Sequence, residues 1–292
     1  MIYSIENKYL KVEAETAGAQ LKSVYSKETG REYLWQGDPA YWTGRAYNLF
    51  PTIGRMFKNV YTYDGQTYEI QCHGLARYYA FKLYERTATK MTFLFTDNED
   101  TRKEYPFRFE FYITFALEGK KLTVSHRTKN VGDKTLIFAV GGHPGINVPF
   151  GEGEFEDYYI EFAEKSNVAE KLLSENKFMD GRSAPYPLTD GTKIALRHSL
   201  FDNDAIVLSN TCRKVSIKSK KDPAVVTMDF TDFKYFGIWH MPETDAPYVC
   251  LEPWSALPAT EGKIDQLEQK EDMTHLAPNE EHVCRYTIEI DE

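Results

Sequence analysis

The sequence of 292 residues lacks both a long hydrophobic run and an excess of basic residues. A membrane-spanning helix needs about 18 or more consecutive apolar residues, and no such run is present. The formal net charge is −9, which argues against a surface for nucleic acid or anionic membranes, since such surfaces need clustered lysine and arginine. The first residues, MIYSIENKYL, have neither the basic nor the apolar region of a secretory signal. These absences predict a cytoplasmic protein that binds a small molecule; they leave its oligomeric state open.

Cysteine is also scarce and widely spaced. The four cysteines are Cys72, Cys212, Cys250 and Cys284, and no CxxC pair occurs among them. This spacing favours free thiols packed as small hydrophobic side chains over a disulfide framework.

Aromatic residues, in contrast, are abundant, with 20 Tyr and 18 Phe, and such residues favour strands. Residues 107–117 (FRFEFYITFAL) place apolar side chains at every second position, which predicts a half-buried strand. Residues 122–128 then read as the antiparallel return strand, with His126 on its apolar face and therefore structural. We find no boundary, repeat or low-complexity tract. The sequence therefore predicts an all-β protein, a large antiparallel β-sandwich, formed as a single domain over residues 1–292.

Other segments give weaker predictions. Further strands are expected at residues 61–63, with a turn at Asp64-Gly65, and at residues 215–218, 224–230 and 286–290. Short helices are candidates at residues 167–176 and 264–269, although neither has good caps together with apolar periodicity. Residues 177–191 (KFMDGRSAPYPLTDG) gather Gly, Pro, Asp and Ser and are expected to form a loop.

Four stretches join a chemically capable side chain to a backbone breaker. They are NLFPTIGR (48–55), CHGLAR (72–77), VGGHPGIN (140–147) and LEPWS (251–255). Each is expected at the end of a strand, where a rigid sheet presents reactive groups, so that two His, one Glu and two Arg converge on one concave face. In VGGHPGIN, the two glycines and Pro144 are expected to let the chain leave a strand sharply and direct His143 into a cleft.

Glu252 is the most informative of these residues. It follows the apolar run YVCL and precedes Pro253 and Trp254, so its access to water is limited and its pKa should be raised, which suits a base near neutral pH. The plainer alternative is a carboxylate that ends a strand and bonds an arginine, with His73 and His143 as core histidines satisfied by backbone carbonyls. An imidazole and a carboxylate are sufficient to open and close a sugar ring, because that reaction needs only one proton acceptor and one proton donor.

The four motifs, in this order, resemble those of the aldose 1-epimerases (galactose mutarotases), and in detail the LacX-like branch of that family. The resemblance extends from the opening strand to THLAPNEE near the end of the chain. It implies the galactose mutarotase-like β-sandwich and isomerase activity on a sugar, with no cofactor and no metal.

The resemblance also implies roles for individual residues. Glu252 matches the general base that takes the proton from the C1 hydroxyl, and His143 matches the general acid that protonates the ring oxygen. His73 matches the histidine that orients the sugar near the ring oxygen, and Arg55 matches the substrate-binding arginine. The aspartate that binds sugar hydroxyls should be Asp204, with Asp202 in reserve.

Two further substrate-binding residues are expected from these motifs. Trp254 offers a flat apolar surface for the C–H face of a sugar. Arg77 belongs to an HG-x-x-R pattern that hexose-6-phosphate epimerases share, and an arginine there suits a phosphate. If Arg77 instead pairs with a carboxylate, neutral aldoses should be preferred, which the negative net charge also favours.

Two other function classes stay open at this point. A carbohydrate-binding or regulatory protein is possible on the same fold, although a pure binder has no need of an acid–base pair. A two-His, one-carboxylate metal site formed by His73, His143 and Glu252 is least favoured, because the spacings fit no standard ligand motif. Well-characterised galactose mutarotases have Asn-His and Asn-Arg motifs at the positions where this chain has GGHP and IGR. This difference leaves the identity of the sugar open.

Overall fold

The computed structural model describes residues 1–292, and nearly all of its regular structure is β-strand. It has one α-helix, α1 (Thr101–Glu104), and no helix has the length and apolar character needed to cross a bilayer. Short 3-10 helices span Phe57–Asn59, Ala76–Tyr78, Phe155–Asp157, His198–Phe201 and Leu267–Gln269. The strands are β1 (Ile2–Glu6), β2 (Leu10–Glu15), β3 (Leu21–Ser26), β4 (Ala46–Leu49), β5 (Val60–Tyr63), β6 (Gln66–Glu69), β7 (Lys82–Arg86), β8 (Lys90–Thr96), β9 (Phe109–Glu118), β10 (Lys121–Asn130), β11 (Leu136–Phe138), β12 (Gly141–Asn147), β13 (Tyr158–Phe162), β14 (Ala169–Leu173), β15 (Met179–Pro185), β16 (Lys193–Ala195), β17 (Ile206–Ser209), β18 (Lys214–Ser219), β19 (Val225–Asp229), β20 (Tyr235–Trp239), β21 (Tyr248–Trp254), β22 (Asp265–Gln266), β23 (Thr274–Leu276) and β24 (Glu281–Asp291).

Two large antiparallel sheets form the body of the protein. The nine-stranded sheet has the order β16-β13-β18-β19-β24-β10-β9-β8-β7, and the seven-stranded sheet has the order β15-β14-β17-β20-β21-β12-β4. Smaller sheets are β1-β2-β3, β22-β5-β6 and β11-β23, and the pairing of β22 with β5 is parallel. Every other pairing between these strands is antiparallel, as the prediction of an antiparallel sandwich requires.

The two large sheets pack face to face. Phe50, just after β4, stacks on Phe111 of β9 with 4.4 Å between ring centroids. His126 of β10 lies at 3.0 Å from the Asn48 side-chain oxygen on β4, and its ring Nε2–H donates to that oxygen. One continuous core of 73 buried residues, from Ile5 to Ile290, fills the space between the sheets and extends beneath the smaller ones. The predicted all-β sandwich is therefore confirmed.

The strongest strand predictions are also confirmed. Residues 107–117 correspond to β9, in which Phe109, Phe111, Ile113 and Phe115 are fully buried. Residues 122–128 fall within β10, which pairs antiparallel with β9 and carries His126 into the core. The segments expected near residues 61, 215, 224 and 286 lie in β5, β18, β19 and β24.

Three local predictions were wrong. Residues 167–176 contain β14 rather than a helix, because pairing with β15 and β17 overrides the helix propensity of its Ala, Glu, Lys and Leu residues. Residues 264–269 form only the two-residue β22 and a 3-10 turn. Residues 177–191 contain β15, which tolerates Gly181 and Pro185 because it is the edge strand of its sheet.

Candidate active site

Four adjacent strands of the seven-stranded sheet, β20, β21, β12 and β4, align four residues in one row. Tyr47 on β4 is opposite His143 on β12, and Glu252 on β21 is opposite Gly237 on β20. The register Gly141–Trp254 and Gly145–Cys250 also sets His143 opposite Glu252. Because residues opposite each other on adjacent strands point to the same face, the three side chains of this row meet on one face of the sheet.

His143 and Glu252 lie inside strands, not at strand ends as the sequence suggested. The ladder between β12 and β21 nevertheless has a gap at residues 142–144. Pro144 and Pro253 flank the two side chains and supply no backbone N–H, which accounts for irregular pairing at the centre of a sheet.

The two glycines before His143 serve close packing and not a sharp exit from the strand. A Cβ atom on Gly142 would lie 2.6 Å from the Tyr286 ring of the opposite sheet. A Cβ atom on Gly141 would lie 2.8 Å from the Pro253 carbonyl oxygen on the adjacent strand. Side chains at these positions would therefore push β12 away from both neighbours, and His143 with it.

A cavity of about 320 Å³ opens above this row of residues. All seven residues singled out from the sequence line it: Arg55, His73, Arg77, His143, Asp204, Glu252 and Trp254. Asp202 is exposed and does not line the cavity. His73 and Arg77 come from the segment after β6, and Arg55 comes from the segment after β4. As expected, the four motifs converge on one concave face.

His143 and Glu252 form a close, buried pair. Nε2 of His143 lies 3.2 Å from Oε2 of Glu252, and the two side chains are only 8% and 2% exposed. The contact is too poorly aligned for a hydrogen bond and leaves Oε2 of Glu252 without a partner, and Nδ1 of His143 and Nε1 of Trp254 also have none. Unsatisfied buried polar atoms are rare in folded proteins, and three in one cavity mark a place where a polar ligand can complete the bonding.

Burial shifts the pKa values of this pair in opposite directions. It raises the pKa of Glu252 well above 4.5, with added repulsion from Asp204, while the nearby Trp254 indole N–H offsets part of the effect. It lowers the pKa of His143 from 6.5 to about 3. Burial disfavours the charged form of each group and therefore favours a neutral carboxyl beside a neutral imidazole. The raised pKa expected for Glu252 is therefore present.

His73 has a fixed tautomer. The backbone N–H of Gly54 donates to Nδ1 of His73 at 3.1 Å. Burial, with repulsion from His143 and Arg77, lowers the pKa of His73 well below 6.5, so the ring is neutral. Nδ1 is thus an acceptor and the proton is on Nε2, which makes His73 a hydrogen-bond donor beside His143, with ring centroids 5.4 Å apart.

Asp204 is carried by a braced loop. It follows the 3-10 helix His198–Phe201 and adopts a left-handed backbone with φ 75°. His240 lies in the chain directly after β20, and its Nδ1–H donates to the Met241 carbonyl at 2.7 Å, which leaves Nε2 to accept a hydrogen bond from His198 at 3.2 Å. This pair of histidines ties the loop to the strand that carries Trp239.

Three cationic side chains line the cavity, and none has a carboxylate partner. Arg77 lies between two aromatic rings, with its guanidinium carbon 4.0 Å from the Tyr47 centroid and 4.8 Å from the Tyr78 centroid. Arg55 and Lys177 bond only carbonyl and amide oxygens. Arg77 thus does not meet the condition under which neutral aldoses were favoured, because aromatic faces and not a carboxylate hold its guanidinium.

Several cavity residues were not identified from the sequence. They are Trp42, Tyr47, Lys177, Trp239 and Met241. Trp42 packs 4.9 Å from the His143 ring and 5.5 Å from Trp239, so these indoles form an apolar wall next to the candidate acid. Strand parity could have identified Trp239, because it lies two residues after Gly237 and therefore on the same face of the sheet, just as Trp254 lies two residues after Glu252.

A wider groove of about 900 Å³ on the nine-stranded sheet is a weaker candidate. It contains no histidine, and its Lys218 is already paired with Glu161 at 2.7 Å. It therefore offers neither an acid–base pair nor an unsatisfied buried group.

The buried groups with metal-ligating atoms differ from the set considered in the sequence. Ligand atoms of His143, Cys250 and Glu252 lie within 4.8 Å of one another, and His73 does not belong to this cluster. Cys250 and Glu252 share a face of β21, which explains their proximity.

Comparison with known proteins agrees with this architecture. The aldose 1-epimerase family model matches residues 1–289. A LacX protein of Lactococcus lactis subsp. lactis is 33% identical over 299 residues, covering 99% of both chains. A galactose mutarotase related enzyme from Lactobacillus acidophilus superposes with a TM-score of 0.94 at 36% identity over 100% of this chain and 98% of its own. A galactose mutarotase-like protein from Lactobacillus casei has the same TM-score at 29% identity, with 100% of both chains covered.

The sandwich and its cavity thus define a galactose mutarotase-like protein. The chain belongs to the aldose 1-epimerase family, with LacX proteins among its relatives. Membership of this family supports an isomerase that acts on a sugar.

Proposed function

We propose that the protein is a cofactor-independent aldose 1-epimerase that interconverts the α and β anomers of a hexose or a related sugar. The observation that carries this proposal is the pairing of His143 with Glu252 at 3.2 Å on the floor of the cavity. A proton acceptor and a proton donor must act on two oxygens attached to one carbon, the anomeric carbon, so they must lie close together.

In the proposed reaction, Glu252 takes the proton from the C1 hydroxyl while His143 gives a proton to the ring oxygen. The C1–O5 bond breaks and the open-chain aldehyde forms. Rotation about the C1–C2 bond presents the other face of the aldehyde, and the reverse proton transfers close the ring as the other anomer. No atom or electron is gained or lost overall. Nε2–H of His73 donates a hydrogen bond near the ring oxygen, and Asp204 accepts hydrogen bonds from sugar hydroxyls.

The proton balance of the His143–Glu252 pair is compatible with this reaction. A neutral carboxyl beside a neutral imidazole holds the same number of protons as a carboxylate beside an imidazolium. A carboxylate base beside an imidazolium acid therefore forms without any net uptake or loss of a proton by the pair. A polarimetric screen of mutarotation over free hexoses, pentoses and their 6-phosphates tests the proposed activity, and acceleration of no sugar would contradict it.

The pKa shifts predict an unusual dependence of rate on pH. The active pair carries one proton, and the acidic limb of the kcat/KM profile marks uptake of a second proton by His143, whose pKa is about 3. The alkaline limb marks loss of the proton from Glu252, whose pKa is raised. We therefore expect kcat/KM to show no acidic limb near pH 6.5, where an ordinary imidazole would titrate, and an alkaline limb well above pH 4.5.

Initial rates of mutarotation in buffers of constant ionic strength check this profile. An acidic limb centred at the ordinary imidazole pKa would contradict the account of the buried pair, because it would show that His143 takes up its second proton at its usual pKa.

A second candidate substrate class is a hexose 6-phosphate. It is favoured by the three cationic residues Arg55, Arg77 and Lys177, which line the cavity without carboxylate partners. A substrate anion would supply the missing negative charge, and hydrogen bonds between an arginine and a phosphate are among the strongest in proteins.

Arg77→Ala tests this candidate. A charge-assisted bond is worth about 1.5–3 kcal/mol, so we expect kcat/KM for a hexose 6-phosphate to fall by roughly tenfold or more. The value for the free hexose should stay within about twofold. Arg182→Ala, which removes an arginine with a 76% exposed side chain, is the matched control. An equal loss with both substrates would instead assign Arg77 a general role in shaping the site.

A further inference from the structure

The turn between β14 and β15 brings a lysine to the wall of the cavity. Lys177 lies in this turn with φ 63° and lines the cavity. The turn is closed by backbone bonds from Ser174 N–H to the Phe178 carbonyl at 2.8 Å and from Lys177 N–H to the Ser174 carbonyl at 3.0 Å. Its backbone is therefore well defined at the point where the lysine side chain begins.

Arg55 holds this turn in place. Its Nη2 donates to the carbonyls of Asn176 and Lys177 at 3.1 and 3.0 Å, and its guanidinium lies 4.8 Å above the Phe178 ring. Phe178 in turn packs edge-on against Phe57, which follows Arg55 closely in the chain. Part of the hydrogen-bonding capacity of Arg55 is thus used on the backbone that presents Lys177.

The ammonium group of Lys177 has a neutral partner. Its Nζ donates to the side-chain oxygen of Asn203, in the loop that carries Asp204. It has no carboxylate within ion-pair distance, and its two other N–H bonds have no partner in the protein. A half-buried ammonium bonded only to an amide can exchange that bond for a stronger one to a substrate oxygen.

We propose that Lys177 is a specificity-determining residue that contacts the substrate, and that Arg55 is the positioning residue that presents it. Lys177 binds a hydroxyl or phosphate oxygen of the sugar other than the C1 hydroxyl and the ring oxygen, and it leaves Asn203 to do so. This inference rests on the proposed function for the identity of the ligand as a sugar, but it concerns binding and not turnover.

Binding calorimetry in the Glu252→Gln background separates this contact from turnover. The probes are glucose, galactose and their 6-phosphates. We expect Lys177→Met to raise Kd about tenfold or more for at least one probe. If Kd rises only for the 6-phosphates, the oxygen that Lys177 binds belongs to the phosphate. If Kd rises equally for the free hexoses, that oxygen belongs to a hydroxyl group. Lys82→Met, on the exposed edge strand β7, controls for the loss of one positive charge.

Asn203→Ala distinguishes a substrate contact from a purely structural bridge. If Lys177 leaves Asn203 on binding, Asn203→Ala should leave Kd unchanged or lower it. Arg55→Met, which has no donor for the two carbonyls, should weaken binding as Lys177→Met does, and the double variant should lose little more. Unchanged Kd in Lys177→Met, equal weakening in Asn203→Ala, or no binding of any probe would overturn the proposal. Binding with the expected pattern, but no anomer exchange in the parent protein, would overturn the epimerase function alone.

Discussion

Glu252→Gln is expected to lower the rate of anomer exchange by at least about a hundredfold while sugar binding survives. Glutamine preserves the shape of the side chain and most of its hydrogen bonds, but it cannot accept the proton of the C1 hydroxyl. A neutral group suits this position, because burial raises the pKa of Glu252 and so disfavours the charged form of its carboxyl group. Polarimetry gives the rate, and calorimetry with the same sugar gives the affinity.

The matched control for this variant is Glu99→Gln, which changes an exposed glutamate away from the cavity. It should exchange anomers at the parent rate. A loss of both rate and binding in Glu252→Gln would point to a structural role for the carboxyl group, and a rate within a few-fold of the parent would remove Glu252 from the chemistry.

His143→Gln is expected to lower the rate by a similar factor, because it removes the proton donor for the ring oxygen. The double variant Glu252→Gln/His143→Gln should lose much less than the product of the two single losses. Both proton transfers belong to one pair whose atoms lie 3.2 Å apart, and groups that act as one unit are not additive.

His275→Gln, at an exposed position on β23, is the control for the loss of an imidazole. If the rate of the double variant falls by the full product of the two single losses, the two residues contribute independently. The exchange of the shared proton would then have no part in the mechanism.

The fold was accessible from the sequence because its evidence is local. The alternation of apolar and polar side chains over residues 107–117 directly reflects one buried face of β9. Each strand with one buried face shows the same alternation in its own sequence. Strand β14 has no such signal: its residues favour a helix, and only its position between β15 and β17 makes it a strand. Long-range pairing decides that this segment is a strand and not a helix, and a local sequence pattern contains no information on such pairing.

The candidate site was accessible through its motifs but not through its geometry. Motif order indicated that His73, His143 and Glu252 belong together, whereas the local pattern suggested the wrong reason for the glycines beside His143. Their purpose is set by Tyr286 of the other sheet and by Pro253 of the adjacent strand, both distant in the chain. Trp42 and Lys177 were missed for the same reason, since each reaches the cavity from a segment without a reactive motif.

Saturation-transfer NMR on the α- and β-anomer signals tests the central claim most directly, because it measures exchange at equilibrium in the presence of the protein. The panel contains free hexoses, pentoses and their 6-phosphates, each measured with the parent protein and with Glu252→Gln. The account predicts at least one sugar whose anomers exchange at least about a hundredfold faster with the parent protein. If no sugar exchanges faster with the parent than with Glu252→Gln, yet some sugar binds both, the protein is a carbohydrate-binding member of its family and not an epimerase.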